Sequence, residues 1–390
     1  MTEKVVTRRV PAEVFPPGEI IREELEARGW TQEDLSDILG RPLKLVSDVI
    51  LGKRAITPET AKGLGDAFDI DPQFFLNLES MYQLWRVEKG REPGKEVSRR
   101  AHLYGKVPIR ELLRRHWMER SGNIEVLEQR VLDFYRIKNI GDEPVFWPVA
   151  AKTSAPELTL THWAWLARAR HIARALTAAR FSESGLLRVI ERLKTLLHSP
   201  EEVRRVPKIL SEAGIRLVLI EHLPSTKIDG ACFWLNQDPK SPVIVLSLRY
   251  DRIDNFWHTL FHELGHLKEK HGLKKAHHPF DIDIFGETAP SLEQRPEAER
   301  IVNDFAADTL IPTAELNNWI ARVGPLYSKE AIRGFAARLN IHPGIVVGQL
   351  QHRHIIDWRH NREMLARVRQ FIMPAALTDG WGQVVPLAVA

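Results

Sequence analysis

The chain has 390 residues, enough for two or three domains with cores of their own. Charged residues make up 27% of it and the net charge is +4, a balance that excludes a low-complexity or collagen-like chain. A single cysteine, Cys232, excludes an internal disulfide and a cysteine-rich structural zinc site, and it fits a reducing, cytoplasmic setting. Residues 1–10 lack the apolar centre of a signal peptide, and no stretch approaches a membrane span, so no membrane partner is expected.

The small net charge hides an asymmetry. Residues 1–90 carry 12 Lys/Arg against 16 Asp/Glu, a net of −4, whereas residues 91–213 carry 23 against 15, a net of +8. The basic excess is densest over 91–115, a run that suits either phosphates or a solvated helix surface.

In chain order, Pro16-Pro17-Gly18 leads into a first helix over Glu19–Arg28, ended by Gly29. Thr31 is a good N-cap for a second helix, Gln32–Leu39, with Asp34 supplying part of a capping box and Gly40 stopping it. Pro42 sits where a third helix begins, Leu43–Leu51, closed by Gly52. Thr57-Pro58 starts a fourth helix through Phe68, and Asp71-Pro72 a fifth through Trp85. Two short helices across a glycine-containing turn make a helix-turn-helix.

This stretch resembles the HigA-like or Xre-like antitoxin and repressor family. The resemblance rests on Pro17-Gly18-Glu19-Ile20, Gly29-Trp30-Thr31-Gln32-Glu33-Asp34-Leu35, the run from Gly52 to Ala61, and Phe74-Phe75-Leu76-Asn77-Leu78. It covers about the first 85 residues. It implies a small helical bundle, usually dimeric, whose third helix enters the major groove of double-stranded DNA. Here that helix departs from the family pattern and reads Pro42-Leu43-Lys44-Leu45, and leucines cannot hydrogen-bond base edges. Lys44, Ser47, Lys53 and Arg54 remain as candidates for phosphate or base contacts, while Asp48 would repel phosphate. The alternative is a helix-turn-helix reused to dimerise or to hold another protein.

Residues 86–108 carry Gly90, Pro93, Gly94 and Gly105 among charges and read as a linker. Helical patterns resume over 109–117, 124–135, around Trp163–Leu176, over 186–197 and over 201–213, broken by Phe146-Trp147-Pro148. None carries recognisable chemistry. From Gly214 the period changes, and 215–220, 230–235 and 243–248 read as short strands.

The next stretch carries the chemistry. In His262-Glu263-Leu264-Gly265-His266 the histidines are four apart, so on a helix both imidazoles face one way and can grip one zinc ion. Glu263, beside the first ligand, can reach a metal-bound water as proton acceptor. The bland reading is a core helix that happens to carry histidines. Trp257, Leu260, Phe261, Leu264 and Leu267 already form an apolar stripe, however, and a core helix gains nothing from ionisable groups among them. A catalytic zinc needs a third protein ligand. By spacing, Glu299, on a second helix that also carries Asn303 and Phe305, is favoured slightly over Glu297 or His271.

Residues 214–312 resemble the ImmA/IrrE family of zinc peptidases through Leu246-Ser247-Leu248-Arg249, Phe256-Trp257, His262–His266, and Glu299 through Phe305-Ala306 to Leu310-Ile311-Pro312. The family's third ligand is a glutamate several residues before a Phe-Ala pair, and the matching position is Glu299. Ile301 and Val302 depart from the family's Glu and Ala. The run from Ile341 to His352 looks like the helical end seen when this peptidase is fused to a HigA-like domain.

The expected fold class is therefore mainly α with a small α+β part. It has a helix-turn-helix domain (1–90), a basic, mostly helical linker region (91–213), a zincin-like ImmA/IrrE domain with a short sheet before the metal helix (214–356), and a C-terminal tail (357–390). The expected function is a zinc-dependent endopeptidase in which His262, His266 and Glu299 hold Zn2+ and Glu263 is the general base. Its protein substrate is expected to be a repressor or antitoxin in a stress, mobile-element or toxin–antitoxin circuit. Arg249, Tyr250, His258 and His271 are candidates to stabilise an oxyanion. The alternative is a DNA-binding antitoxin or repressor whose peptidase fold only senses or scaffolds.

Overall fold

The computed structural model describes residues 14–90, 93–142, 144, 158–273, 280–282 and 296–380. The chain divides into two compact units, Met1–Ala101 and His102–Ala390. It is mainly helical with one small mixed sheet. Among the described residues no helix is long and apolar enough to cross a membrane.

The first unit contains α1 (Pro17–Arg28), α2 (Gln32–Leu39), α3 (Leu43–Ile50), α4 (Pro58–Phe68) and α5 (Pro72–Gly90). The boundaries follow the local chemistry. Thr31 and Asp34 close both halves of a capping box: the Thr31 amide donates to Asp34 Oδ2 at 2.7 Å, and the Asp34 amide to Thr31 Oγ1 at 3.1 Å. Gly29 and Gly40 end α1 and α2 in the left-handed region, at φ 69° and 59°. Leu25, Leu35, Val49, Leu64, Phe68 and Phe75 are buried together. Gly18 lets α1 cross α3 closely, since a Cβ there would lie 2.0 Å from the Ile50 carbonyl oxygen.

Residues 86–108, expected to be a linker, hold the end of α5, which runs past the expected Trp85 to Gly90, and a further helix, α6 (Pro93–Lys106). The glycines and Pro93 read as breakers instead bound two helices. Next come α7 (Ile109–Arg114), α8 (Ile124–Tyr135), α9 (Leu160–Ala175), α10 (Glu183–Lys194) and α11 (Val206–Glu212). The single helix expected over 201–213 is split into a 3-10 turn, Pro200–Arg205, followed by α11, because Pro207 brings no N–H and fits only a first helical turn. Phe146-Trp147-Pro148 lies outside the described residues.

The sheet has the order β4-β2-β3-β1-β5, built from β1 (Arg216–Leu219), β2 (Ile228–Trp234), β3 (Pro242–Leu246), β4 (Phe280–Ile282) and β5 (Leu377–Thr378). β3 runs parallel to β1 and antiparallel to β2. The three strands expected from the sequence are thus its middle, flanked by β4 and β5, which come later in the chain. Its faces alternate, apart from an irregularity between Ile228 and Gly230 in β2. Val218, Ala231, Phe233, Val243 and Val245 point into one core, with Leu112, Val131, Trp165 and Ile172 from α7–α9. Leu217, Leu219, Trp234, Ile244 and Leu246 point into the other.

Helices α7–α11 therefore take part in the two cores on either side of the sheet. Tyr135 donates to the Leu160 carbonyl at 2.9 Å, and Trp165 Nε1 to that of Ile220 at 2.9 Å, so α7–α9 cover one face of the sheet, while α10 and α11 join the core on the other face. Each fully buried large side chain there contributes on the order of 1.5–3 kcal/mol.

The other face carries α12 (Ile253–Lys268), with α13 (Glu297–Leu310), α14 (Thr313–Val323), α15 (Lys329–Leu339) and α16 (Pro343–His352) around it. Residues 357–380, expected as part of a tail, also join the fold. Met364, Val368 and Ile372, the last on the short α17 (Arg369–Ile372), are buried in the same core, and β5 pairs with β1.

Candidate functional site

Every residue of α12 from Ile253 to Leu267 is buried. The expected apolar stripe is thus part of a helix enclosed all round, and its polar residues need partners inside the protein. Three glycines allow the enclosure. A Cβ on Gly265 would meet Val302 Cβ and Phe305 Cδ1 of α13 at 3.1 and 3.0 Å, one on Gly348 of α16 would meet Asp254 Oδ2 at 2.4 Å, and one on Gly230 of β2 would meet Glu263 Oε1 at 2.1 Å.

The structure brings His262, His266 and Glu299 together. The two Nε2 atoms are 3.0 Å apart, and Glu299 Oε2 lies 3.3 Å from His262 Nε2 and 3.8 Å from His266 Nε2. Two ligands about 2.0–2.1 Å from one ion at tetrahedral angles lie roughly 3.3 Å apart, so the three atoms have the spacing of a zinc ligand set. Two imidazoles and one carboxylate also match the donor chemistry of a catalytic zinc. Of the alternatives considered for the third position, Glu297 is exposed and His271 takes another role.

The ring nitrogens facing away from the triad fix both histidines. Asn303 Nδ2 donates to the Glu299 carbonyl at 2.9 Å, which turns its Oδ1 toward His262 Nδ1, 3.1 Å away. His262 therefore donates from Nδ1 and presents the Nε2 lone pair to the triad. His266 Nδ1 lies 2.8 Å from His271 Nδ1, and Trp234 Nε1 holds the His271 carbonyl at 2.7 Å. The sequence showed Asn303 and Glu299 on one helix face, four apart, but not that Asn303 would orient a histidine of another helix. Gly230 gave no sequence signal, because nothing in a strand pattern announces that a carboxylate from a distant helix rests on its Cα.

Among the oxyanion candidates, His258 is one turn before His262 on α12, with ring centroids 6.3 Å apart. Arg249 donates to the Lys227 carbonyl at 2.9 Å and to Tyr250 Oη at 2.7 Å, which ties both to the segment just before β2. At the start of α12, Arg252 grips Asp254 through two hydrogen bonds, of 3.0 and 2.6 Å, and reaches Gln351 Oε1 at 3.0 Å. Burial raises the Asp254 carboxyl above the usual carboxylate range, opposed by the Arg252 charge.

A second surface lies in the first unit. α3 turns Val46, Val49 and Ile50 inward and leaves Lys44 exposed, with Ser47 half-buried. The Lys53 and Arg54 amides both donate to the Asp48 carbonyl, at 2.9 and 3.1 Å, so the turn after α3 displays their exposed side chains together. Leu43 and Leu51 are exposed beside them.

Two helices joined at a left-handed glycine, with the second presenting basic residues, define a helix-turn-helix module. Residues 21–75 match the helix-turn-helix family. An uncharacterized HTH-type transcriptional regulator of Haemophilus influenzae is 36% identical over 75 residues, 19% of this chain and 70% of that protein. The uncharacterized HTH-type transcriptional regulator YbaQ of Escherichia coli K12 is 33% identical over 84 residues, 21% and 74% of the two chains, and YddM of the same strain is 32% identical over 73 residues, 19% and 78%. The chain belongs to the helix-turn-helix family through this N-terminal region.

Proposed function

We propose that this helix-turn-helix regulator binds double-stranded DNA through its first unit and acts as a zinc-dependent endopeptidase through its second. The regulator part is supported by the relatives, each named as a transcriptional regulator. The peptidase part is carried by one observation, the convergence of His262 Nε2, His266 Nε2 and Glu299 Oε2 next to a buried carboxylate, Glu263, on the same helix. The resemblance to ImmA/IrrE peptidases adds the substrate class, a repressor or antitoxin protein.

His262, His266 and Glu299 would hold the ion. Zinc bound there supplies Lewis acidity toward a peptide carbonyl and makes water a better acid. Asn303 and His271 keep both imidazoles aimed at the triad. Glu263, with Oε1 against Gly230, takes a proton from the attacking water and returns it to the leaving amine. In the first unit, Lys44, Ser47, Lys53 and Arg54 face the duplex, and a homodimer would place two such surfaces on one operator.

The second reading is a repressor or antitoxin whose peptidase fold senses or scaffolds. It is favoured by the regulatory names of the relatives and by the burial of His262 and Glu263, both 0% exposed. Glu263→Gln separates the two, because it keeps size and zinc while removing the proton acceptor. The peptidase reading expects normal zinc content and a loss of about 10²–10⁴-fold in partner-repressor cleavage. A Glu263→Gln protein that lowers its partner's level in cells as well as wild type would leave the sensor reading. For the first unit, selection from a random duplex pool should enrich a sequence, and Lys53→Ala should reduce the salt slope of binding by about one unit.

A further inference from the structure

On the other face of the sheet from α12, a cavity of about 470 Å³ opens between residues 116–119, the C-terminal end of α8 and the second half of α9. Its size suits a small molecule rather than a duplex. Among the described residues, five arginines line it (130, 136, 168, 170 and 174) against two carboxylates, Glu119 and Asp133, a net of +3. Glu119 is already paired with Arg130 at 3.0 Å, and Asp133 accepts from Gln129 at 2.9 Å.

Arg170 and Arg174 share one neutral acceptor, Asn236 Oδ1, at 3.3 and 3.1 Å. Arg168 Nε is buried without a hydrogen bond. Asp379 favours the Arg168 charge from a distance, but its carboxylate accepts from Trp117 Nε1 at 3.0 Å. Among the described residues no carboxylate forms an ion pair with Arg136, Arg168 or Arg174. Burial, then the neighbouring charges of Arg174 and Arg136, lower Arg170 to about 10.

The plainest alternative is that the arginines only balance helix dipoles, since Arg136 caps α8 and Arg174 lies in the last turn of α9. Two helix C-termini supply about half a negative charge each. Among the described lining residues that offsets roughly one of three excess charges and leaves about +2 around a partly desolvated hollow. Guanidinium groups match phosphate oxygens two at a time.

We propose that this cavity binds a small molecule carrying at least two linked phosphate groups. Its oxygens take the guanidinium of Arg168 and the outward donors of Arg136 and Arg174. The site is separate from the His262–His266–Glu299 cluster and stands whether or not that cluster holds zinc.

The test is calorimetric titration of the full chain with sodium pyrophosphate and with ATP, each against sodium chloride at equal ionic strength. Wild type, Arg136→Lys, Arg136→Gln and Arg168→Met are compared. Binding of both probes by wild type, weakened tenfold or more in Arg136→Gln and Arg168→Met but retained in Arg136→Lys, supports the site. ATP binding ten times more tightly than pyrophosphate would assign the ligand to the nucleotides, and equal affinity to the diphosphate group alone. Without ligand, both charge-removing variants should melt at or above the wild-type temperature, because they relieve repulsion, so lost binding is not lost folding. Heats no larger than those of salt would overturn the proposal, as would equal binding by all four proteins. Variants that weaken only the binding of random duplex DNA would overturn it too, and would make the hollow part of a nucleic-acid face.

Discussion

Gly230→Ala tests the contact between β2 and Glu263. The new methyl would lie 2.1 Å from Glu263 Oε1 and 3.1 Å from both Glu263 Cδ and Thr259 Cγ2. The carboxylate must retreat by roughly 1 Å or more to reach an ordinary van der Waals separation. Overpacking of this kind costs about 1–3 kcal/mol, while Gly→Ala recovers about 0.4–1 kcal/mol by restricting the unfolded chain. The expected net loss is about 1–2 kcal/mol, and in a unit of this size each kcal/mol lowers the melting temperature by about 2–4 °C. Under the proposed function, zinc is held by three other side chains, so its content is expected to stay at the wild-type level. Unfolding of wild type, Gly230→Ala, Glu263→Ala and the double variant forms a cycle. Removing the carboxylate should absorb most of the glycine penalty, giving a coupling of about 1 kcal/mol or more. Additivity within about 0.5 kcal/mol would show that the methyl is accommodated elsewhere and refute the contact as the source of the loss.

Asn303→Leu removes the acceptor that fixes His262 Nδ1, so zinc affinity measured by chelator competition should fall about 10–100-fold, and an unchanged affinity would rule out that role. His342 gives a pH test, because its Nδ1 accepts the Gly344 amide at 3.1 Å to cap α16, and only the neutral ring can do so. Burial holds this imidazole below its ordinary 6.5, with Glu201 and Asp254 opposing. A base with a lowered folded pKa contributes stability that is present above about 6.5 and lost as pH falls through the lowered value. His342→Asn keeps an acceptor that does not titrate, so its stability should fall less than wild type's between pH 7 and 5, and parallel melting curves would refute the assignment.

What the sequence made legible was local. Thr31 and Asp34 mark α2 because a capping box needs only residues three apart, and Gly29 and Gly40 end helices by their own left-handed backbone. The His262–His266 pair is legible for the same reason, since the helix repeat alone sets both rings on one face. Other features depend on contacts the chain order conceals. Leu377 and Thr378 pair with Val218 and Leu219 across some 160 residues, and neither segment names its partner. Glycine and proline near 90–94 looked like a linker because their usual role as breakers does not say whether the flanking segments are helices. The arginine-lined hollow gathers Arg130 and Arg136 from one helix and Arg168, Arg170 and Arg174 from another, while the density of positive charge along the chain pointed to 91–115 instead.

The late pairing of β5 bears on how the protein is made. Met364, Val368, Ile372 and the strand at 377–378 are translated after every element they pack against in the second unit. On the ribosome, β1 waits with an open edge while residues 220–376 emerge, and an open strand edge invites wrong pairing. The helix-turn-helix unit closes its core within the first 75 residues and has no such delay. A nascent chain can therefore present a folded regulator surface well before the His262–His266–Glu299 cluster is enclosed. Changes near residues 364–378 should act on the yield of the second unit more than on that of the first.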